Sequence, residues 1–297
     1  MAEHWDRFWT GDGRTSGGCL PAAHNSVERV QREIWHEFAR TLPRNAKVLD
    51  LGTGDGRVMG WLLERRGDLK PTGIDYARKL PAPPRGSKVR AGISIEKVPM
   101  PDSSFDAVTS QFGFEYGDVA AAAPELVRLL RSQGRFRLLV HHASGPIVKH
   151  NLGRAEGLKW ASGASGSIDK ARGLVSARAI ANVPTPPFFR ELVGEARSRF
   201  GPGSGAEEFS LGLLQTLESS RGAPPNAVLS AIGELQQLAS DEVERIEALA
   251  KAAADPDRIK RIGNLLQESG ASVEPVREVA EGSGTAPFAW LVDGQKN

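Results

Sequence analysis

The chain has 297 residues, of which 40% are hydrophobic and 25% charged, a composition that fits one large or two small globular domains with a substantial core. With 38 Lys and Arg against 36 Asp and Glu, the net charge of +2 excludes a general basic field for nucleic acid or anionic lipid and leaves only a local patch open. The single cysteine, Cys19, excludes an internal disulfide and a cysteine-built zinc site.

The opening stretch MAEHWDRFWTGDG lacks the apolar core of a secretory signal. No run approaches the roughly 20 apolar residues of a bilayer span, so a cytoplasmic protein without a membrane span is expected. Trp5 and Trp9 stand four apart and share a face if this stretch is helical, which suits simple docking or closure over a ligand. Residues 10–24 are glycine-rich and irregular, and Cys19 reads there as an incidental thiol. Residues 25–42 then predict a helix, with Asn25 or Ser26 as cap, Glu28 at capping-box spacing and one apolar face from Val27, Val30, Ile34, Phe38 and Leu42. Pro43 ends it.

A short buried strand, AKVLDL, is followed by a helix, GRVMGWLLERRG, that stops near Gly67. PTGID is a second strand, SKVRAG a third and FDAVTSQF a fourth; the prolines 81, 83 and 84 leave little room for a helix between the second and third. Asp118–Arg131 predicts a helix with Pro124 in its first turn or at a kink and Gly134 just after it, and RFRLLVHH is a fifth strand. This alternation argues for a mostly parallel sheet with helices on both faces. The rhythm stops near residue 145. A glycine-rich stretch over 151–173 and VPTPPFF come next, residues 207–268 look helical, and two strands, ASVEPVREVAE and APFAWLVDGQK, close the chain. The organisation expected is a core of residues 1–145, a mainly helical insertion over 146–270 between strands five and six, and strands six and seven in 271–297.

The turn after the first strand carries Gly52, Gly54 and Gly56 at every second position, one residue short of the G-x-G-x-x-G spacing of dinucleotide sites. Asp50 ends the strand and Asp55 sits in the turn. A carboxylate about 5 Å from a phosphate charge costs roughly 3 kcal/mol at an effective dielectric of 20, so two of them disfavour a pyrophosphate and favour a cationic ligand. Asp75 ends the next strand, where a carboxylate can accept both hydroxyls of an adenosine ribose. An adenosine, an amino acid end and a cationic sulfur together describe S-adenosylmethionine.

On these residues the sequence resembles the class I S-adenosylmethionine-dependent methyltransferases, in the small-molecule branch that includes the ubiquinone and menaquinone biosynthesis enzymes. VLDLGTGDG is similar to the family's first motif and GIDYA to its second, while IEKVPMPDSSFDAVTSQFGFEY and LVRLLRSQGRFRLLV resemble the motifs that follow. The resemblance covers residues 46–142 and, less closely, the last two strands. It implies a Rossmann-like seven-stranded sheet and S-adenosyl-L-methionine as cofactor. It further implies that Gly52, Thr53 and Gly54 contact the methionine end, Asp50 supports its amino group and Asp75 holds the ribose. Adenine is expected near Tyr76 and residues Ile93, Ser94 and Ile95, although an acidic residue is common in the family where Ile93 and Ser94 stand and Glu96 aligns elsewhere. Gln111 and Phe112 are expected to flank the sulfur, with core packing an equal alternative for Phe112.

Methyl transfer from a sulfonium needs a base only if the acceptor loses a proton. The candidates are His141 and His142 at the end of the fifth strand, of which at most one faces the site, His150 beyond them, and Glu115 and Tyr116 after the fourth strand. The spacing of these histidines fits no metal site, and no metal is expected. SQFGFEY lacks the Pro-Pro-aromatic pattern of enzymes that methylate base amino groups, no cysteine is positioned for cytosine carbon methylation, and Glu115 lacks the paired glutamate of protein arginine enzymes. A small organic acceptor remains, and the resemblance implies oxygen as its target, the commonest one in similar proteins; the insertion is expected to be a substrate lid whose Trp160, Phe188 and Phe189 line an apolar pocket or form its own core. The alternatives are a non-catalytic binding subunit for regulation or assembly, and a tRNA or protein methyltransferase. Homo-oligomerisation stays open.

Overall fold

The structure, a computed structural model, describes residues 2–10 and 25–297. Cys19, the stretch 11–24 and the side chain of Asn25, with the roles expected of them, lie outside the described residues. The chain divides into two compact units, Met1–Val148 with Leu249–Asn297, and Lys149–Ala248. Among the described residues no helix is long and apolar enough to cross a membrane.

The first unit begins with α1 (Ala2–Thr10) and α2 (Asn25–Thr41). Ser26 does not cap α2; its hydroxyl donates to Glu281 Oε2 (2.7 Å). There follow β1 (Lys47–Leu51), α3 (Arg57–Arg65), β2 (Lys70–Asp75), β3 (Lys88–Ala91), β4 (Phe105–Gln111), α4 (Val119–Leu129) and β5 (Leu130–His141). After the second unit come α10 (Pro256–Glu268), β6 (Ala271–Val273), β7 (Arg277–Val279) and β8 (Ala289–Lys296). The sheet runs β3-β2-β1-β4-β5-β8-β6 with β7 also on β8. The first five strands are mutually parallel, and β8 runs antiparallel to its three partners.

Among the described residues the sheet has eight strands, where seven were expected. Register passes from Val273↔Gly294 to Arg277↔Leu291, so residues 274–276 face only 292 and 293. Pro275 has no N–H for the ladder, and the resulting one-residue bulge splits the expected sixth strand into β6 and β7. A second departure lies at β5. Phe105 pairs with Leu130 but Ala107 with Arg135, so residues 131–134 form an excursion inside the strand. Gly134 therefore lies within β5 and is not a helix stop, and α4 ends at Leu129, two residues early. Pro124 sits inside α4, which Asp118 caps through the Ala120 N–H.

The central strands are buried on both faces. Leu49, Leu51, Val108 and Leu138 pack under α4 and α10 with Leu126, Leu129, Ile259 and Ile262. Val48, Ala107 and Leu139 pack on the other face with Trp35 and Phe38 of α2 and Trp61 and Leu62 of α3. Alternation along each strand thus feeds two separate apolar layers. Because α10 belongs to the sheet unit, the second unit is shorter than the expected insertion 146–270.

The second unit takes its chain from α5 (Pro146–Lys159), a π-helical turn at Trp160–Ala164, α6 (Ser167–Arg178), α7 (Phe188–Phe200), α8 (Gly205–Ser219) and α9 (Pro225–Ala252). The glycine-rich stretch 151–173 is therefore largely helical. A Cβ on Gly157 would stand 3.1 Å from the Ala206 nitrogen, so that glycine serves close helix packing. Phe189 is buried among Ile168, Leu174, Phe209, Leu213 and Ile232, with Trp160 and Phe188 packed against them, so these aromatics form the unit's own core.

Candidate active site

The β1–α3 turn is built on left-handed backbone. Gly52, Gly54 and Gly56 have φ of 66°, 52° and 75°, a region that costs an L side chain free energy. The space around them is also closed. A Cβ on Gly54 would stand 2.5 Å from the Trp9 indole, and one on Gly56 would stand 2.7 Å from Pro84. The turn is pinned to β2 by Thr53 N–H donating to the Ile74 carbonyl (2.9 Å) and Gly54 N–H donating to Asp75 Oδ2 (2.9 Å). Asp75 Oδ1 accepts from Ala77 N–H (2.9 Å), so this carboxylate holds the ends of two loops together.

The three acids differ in state. Asp50 is 1% exposed and accepts the hydroxyls of Thr53 and Thr109, both at 2.7 Å. Burial pushes its carboxyl up to about 7, against the lowering effect of those two hydroxyls. Burial also raises the Asp75 carboxyl, opposed by the Ala77 and Gly54 N–H groups. Asp55 is ion-paired with Arg57 at 2.6 Å. The crevice is therefore less negative than its three carboxylates imply. Asp55 is compensated, and burial keeps Asp50 partly protonated near neutral pH.

A cavity of about 100 Å³, open to solvent, lies beside the turn. Of the residues expected at the site, Asp50, Gly52, Thr53, Gly54, Gln111, Phe112, Tyr116 and His141 line it. Trp5, Phe8 and Trp9 of α1 add an aromatic wall. Asp75, Tyr76, Ser94 and Ile95 stand outside that lining. Tyr76 is 53% exposed, Ile95 is buried, and the Ser94 hydroxyl donates to Glu96 Oε2 while Glu96 Oε1 accepts from Asp118 N–H (2.8 Å).

His141 and Glu115 form a buried pair. Glu115 Oε1 lies 2.9 Å from His141 Nδ1 and accepts the His141 backbone N–H at 3.0 Å. An ionised Glu115 makes Nδ1 the protonated ring nitrogen and leaves the lone pair on Nε2, an atom that is itself buried. Phe112 stacks on the imidazole at 3.9 Å between centroids and 18° between planes. It does so from a left-handed φ of 57°, unusual for an aromatic residue and held by its N–H bond to the Leu139 carbonyl (2.8 Å). Tyr116 meets the same imidazole edge-on at 6.2 Å. His142 takes the other side of the strand, stacks on Trp290 at 4.5 Å and faces Glu278 at 3.4 Å, which removes it from the candidate bases. His150 is exposed on α5. Among the described residues no group of three His, Cys, Asp or Glu is placed to hold a metal ion.

Sequence reasoning missed Thr109 and Gln31. Thr109 carries no signal, because a threonine in a strand is ordinary. Gln31 had one: it stands at i+4 from Val27 and i−4 from Trp35, a single polar residue in the apolar stripe of α2, and it is fully buried at the cavity wall.

Residues 49–138 match the methyltransferase domain family. The demethylmenaquinone methyltransferase of Thermus thermophilus is 35% identical over 101 residues, 31% of this chain and 46% of that protein. An uncharacterized methyltransferase of Mycobacterium tuberculosis is 35% identical over 107 residues, 33% of this chain and 41% of that protein. The chain thus spans less than half the length of the curated relatives it matches. A solved S-adenosylmethionine-dependent methyltransferase from Aquifex aeolicus aligns over 90% of this chain and 89% of its own at 13% identity, with a TM-score of 0.44. The matched segment runs from Leu49 in β1 to Leu138 in β5 and contains the glycine turn, Asp50, Asp75 and the end of β4. Residues 49–138 thus carry a methyltransferase domain.

Proposed function

We propose that the protein transfers a methyl group from S-adenosylmethionine to an oxygen of a small organic acceptor. The observation that carries this reading is the meeting of the glycine turn and His141 in one cavity, with Glu115 bonded to the imidazole behind it. The residues fit the cofactor: a backbone cradle whose glycines leave no room for a Cβ, and two partly desolvated carboxylates on consecutive strands. Bound there, the cofactor supplies a methyl group activated on a sulfonium.

The chain's own groups then divide the work. The Gly52–Gly54 backbone takes the methionine end, and Asp50, ionised by an adjacent ammonium, supports the amino group. Asp75 keeps lone pairs for ribose hydroxyls beside its two backbone bonds, and Tyr76, Ser94 and Ile95 border the adenine. Gln111 and Phe112 stand toward the reacting centre. His141 Nε2 takes the acceptor's proton while Glu115 accepts from Nδ1–H and stabilises the imidazolium. The aromatic wall excludes water from the reacting atoms.

The name of the Thermus relative supports a small-molecule acceptor over RNA or protein. The methyltransferase family match does not reach the helical unit. Calorimetric titration of the purified chain with S-adenosylmethionine tests the cofactor, and an acceptor panel with radiolabelled methyl tests the transfer. Absence of binding at millimolar ligand overturns the reading; binding without transfer to any acceptor marks a binding subunit instead.

A further inference from the structure

The apolar face of α2 is interrupted by Gln31, which is fully buried. Its amide belongs to a relay whose direction is forced. The Trp35 indole N–H can only donate, and it donates to Gln111 Oε1 at 2.6 Å. Gln111 must then turn its Nε2 the other way, where it donates to Gln31 Oε1 at 3.2 Å. Gln31 is left presenting its own NH2 group at the far end. Reversing either amide sets two donors, or two acceptors, face to face, so both orientations follow from the indole and need no separate assignment. The Gln31 Nε2 has no hydrogen-bond partner among the described residues.

A buried donor without an acceptor is costly, and the cost is offset when a ligand brings the missing oxygen. Gln31 lines the cavity described above, and its relay runs to Gln111 at the end of β4, beside Phe112 and the His141 side of the cavity. The groups suited to the cofactor's carboxylate, the N–H groups of the turn, belong to the β1–α3 segment instead. Much of the rest of the cavity lining is apolar, including Trp5, Phe8, Phe112 and Ile147.

We infer that Gln31 is an acceptor-recognition residue whose Nε2 donates to an oxygen on the methyl acceptor other than the one methylated. The inference rests on the methyltransferase reading and adds to it a substrate class: a largely apolar molecule that carries a carbonyl or similar hydrogen-bond acceptor. Such an oxygen also acidifies a conjugated hydroxyl, which eases the proton's passage to His141.

The test uses the full chain saturated with S-adenosylhomocysteine and two matched probes, 4-hydroxyacetophenone and 4-ethylphenol, which differ by one carbonyl oxygen. Calorimetry on the wild type is expected to give at least fivefold tighter binding of the ketone. Gln31→Glu keeps an oxygen for Gln111 and replaces the donor by an acceptor, and it is expected to abolish or invert that preference. Gln31→Met is expected to abolish it, and S-adenosylhomocysteine affinity stays within twofold in both. If Gln31→Met fails to fold, shown by its melting curve, Gln31→Glu carries the comparison. Retention of the ketone preference in the variants overturns the inference, as does a wild type that binds neither probe or both equally. A tenfold loss of S-adenosylhomocysteine affinity in the variants also overturns it and assigns Gln31 to the cofactor's carboxylate. A wild type that does not bind S-adenosylhomocysteine refutes the methyltransferase reading itself, a result distinct from every outcome that concerns Gln31.

Discussion

At the scale of single residues, Asp50 decides how the crevice meets a cation. Its carboxyl holds a proton to about pH 7 in the folded chain but releases it near 3.8 when unfolded. Between those values the folded state binds more protons, so stability falls as pH rises, by an amount on the order of 4 kcal/mol in the ligand-free protein. Denaturant melts from pH 4 to 8 should show this slope, and Asp50→Asn should flatten it. Cofactor affinity should run the opposite way and tighten from pH 5 to 7, because an ammonium favours the ionised form. Gly54→Val should abolish cofactor binding, since its side chain meets the Trp9 indole and its backbone sits at φ 52°. Asp75→Ala should weaken binding about tenfold or more and cost roughly 1–3 kcal/mol of stability, because the Gly54 and Ala77 N–H groups lose their acceptor. The sequence showed both acids and all three glycines. It did not show that Arg57 compensates Asp55, because which charge a side chain meets is settled by rotamer and turn geometry and not by spacing.

At the scale of elements, β5 joins chemistry to stability. Its end holds His141 against Glu115, and His141→Asn should lower methyl transfer by roughly 10²–10⁴-fold while S-adenosylhomocysteine affinity changes little. Lower down, Arg137 donates twice to Asp293 of β8 (2.6 and 2.9 Å) and once to the Ile34 carbonyl of α2 (2.7 Å). Both partners are buried, so Asp293→Ala leaves an uncompensated guanidinium and should cost about 3–5 kcal/mol, read as a lower denaturant midpoint. The strand was legible from RFRLLVHH, and so was the rule that only one of two adjacent histidines faces the site. The choice of His141 was not legible, because the phase of a strand is set by its neighbours: β4 on one side and β8 on the other. The excursion at 131–134 and the bulge at Pro275 were hidden for the same reason, since each exists only relative to a partner strand.

At the scale of the whole molecule, the chain leaves the sheet unit and returns to it at one place. Val148 and Leu249 pack in a single buried cluster with Ala253. Replacing residues 149–248 by a short glycine-serine linker should therefore leave the sheet unit folded and able to bind S-adenosylhomocysteine, as circular dichroism and calorimetry would show. The helical unit has its own apolar core around Phe189, Phe209 and Ile232, which makes it a unit of folding in its own right.

The order of strands and helices, the glycine turn and the placing of an acid at each of two strand ends were written in the sequence alone. Each depends on local backbone chemistry: apolar runs of strand length, glycines where a Cβ is excluded, and prolines where an N–H is missing. Tertiary structure alone decided the states of those acids, the partner of each histidine, the membership of α10 in the sheet unit and the direction of the Trp35–Gln111–Gln31 relay. These depend on burial and on contacts between residues far apart in the chain, 143 positions for Arg258 and the Glu115 carbonyl and 156 for Arg137 and Asp293, and neither burial nor such contact is a function of local pattern.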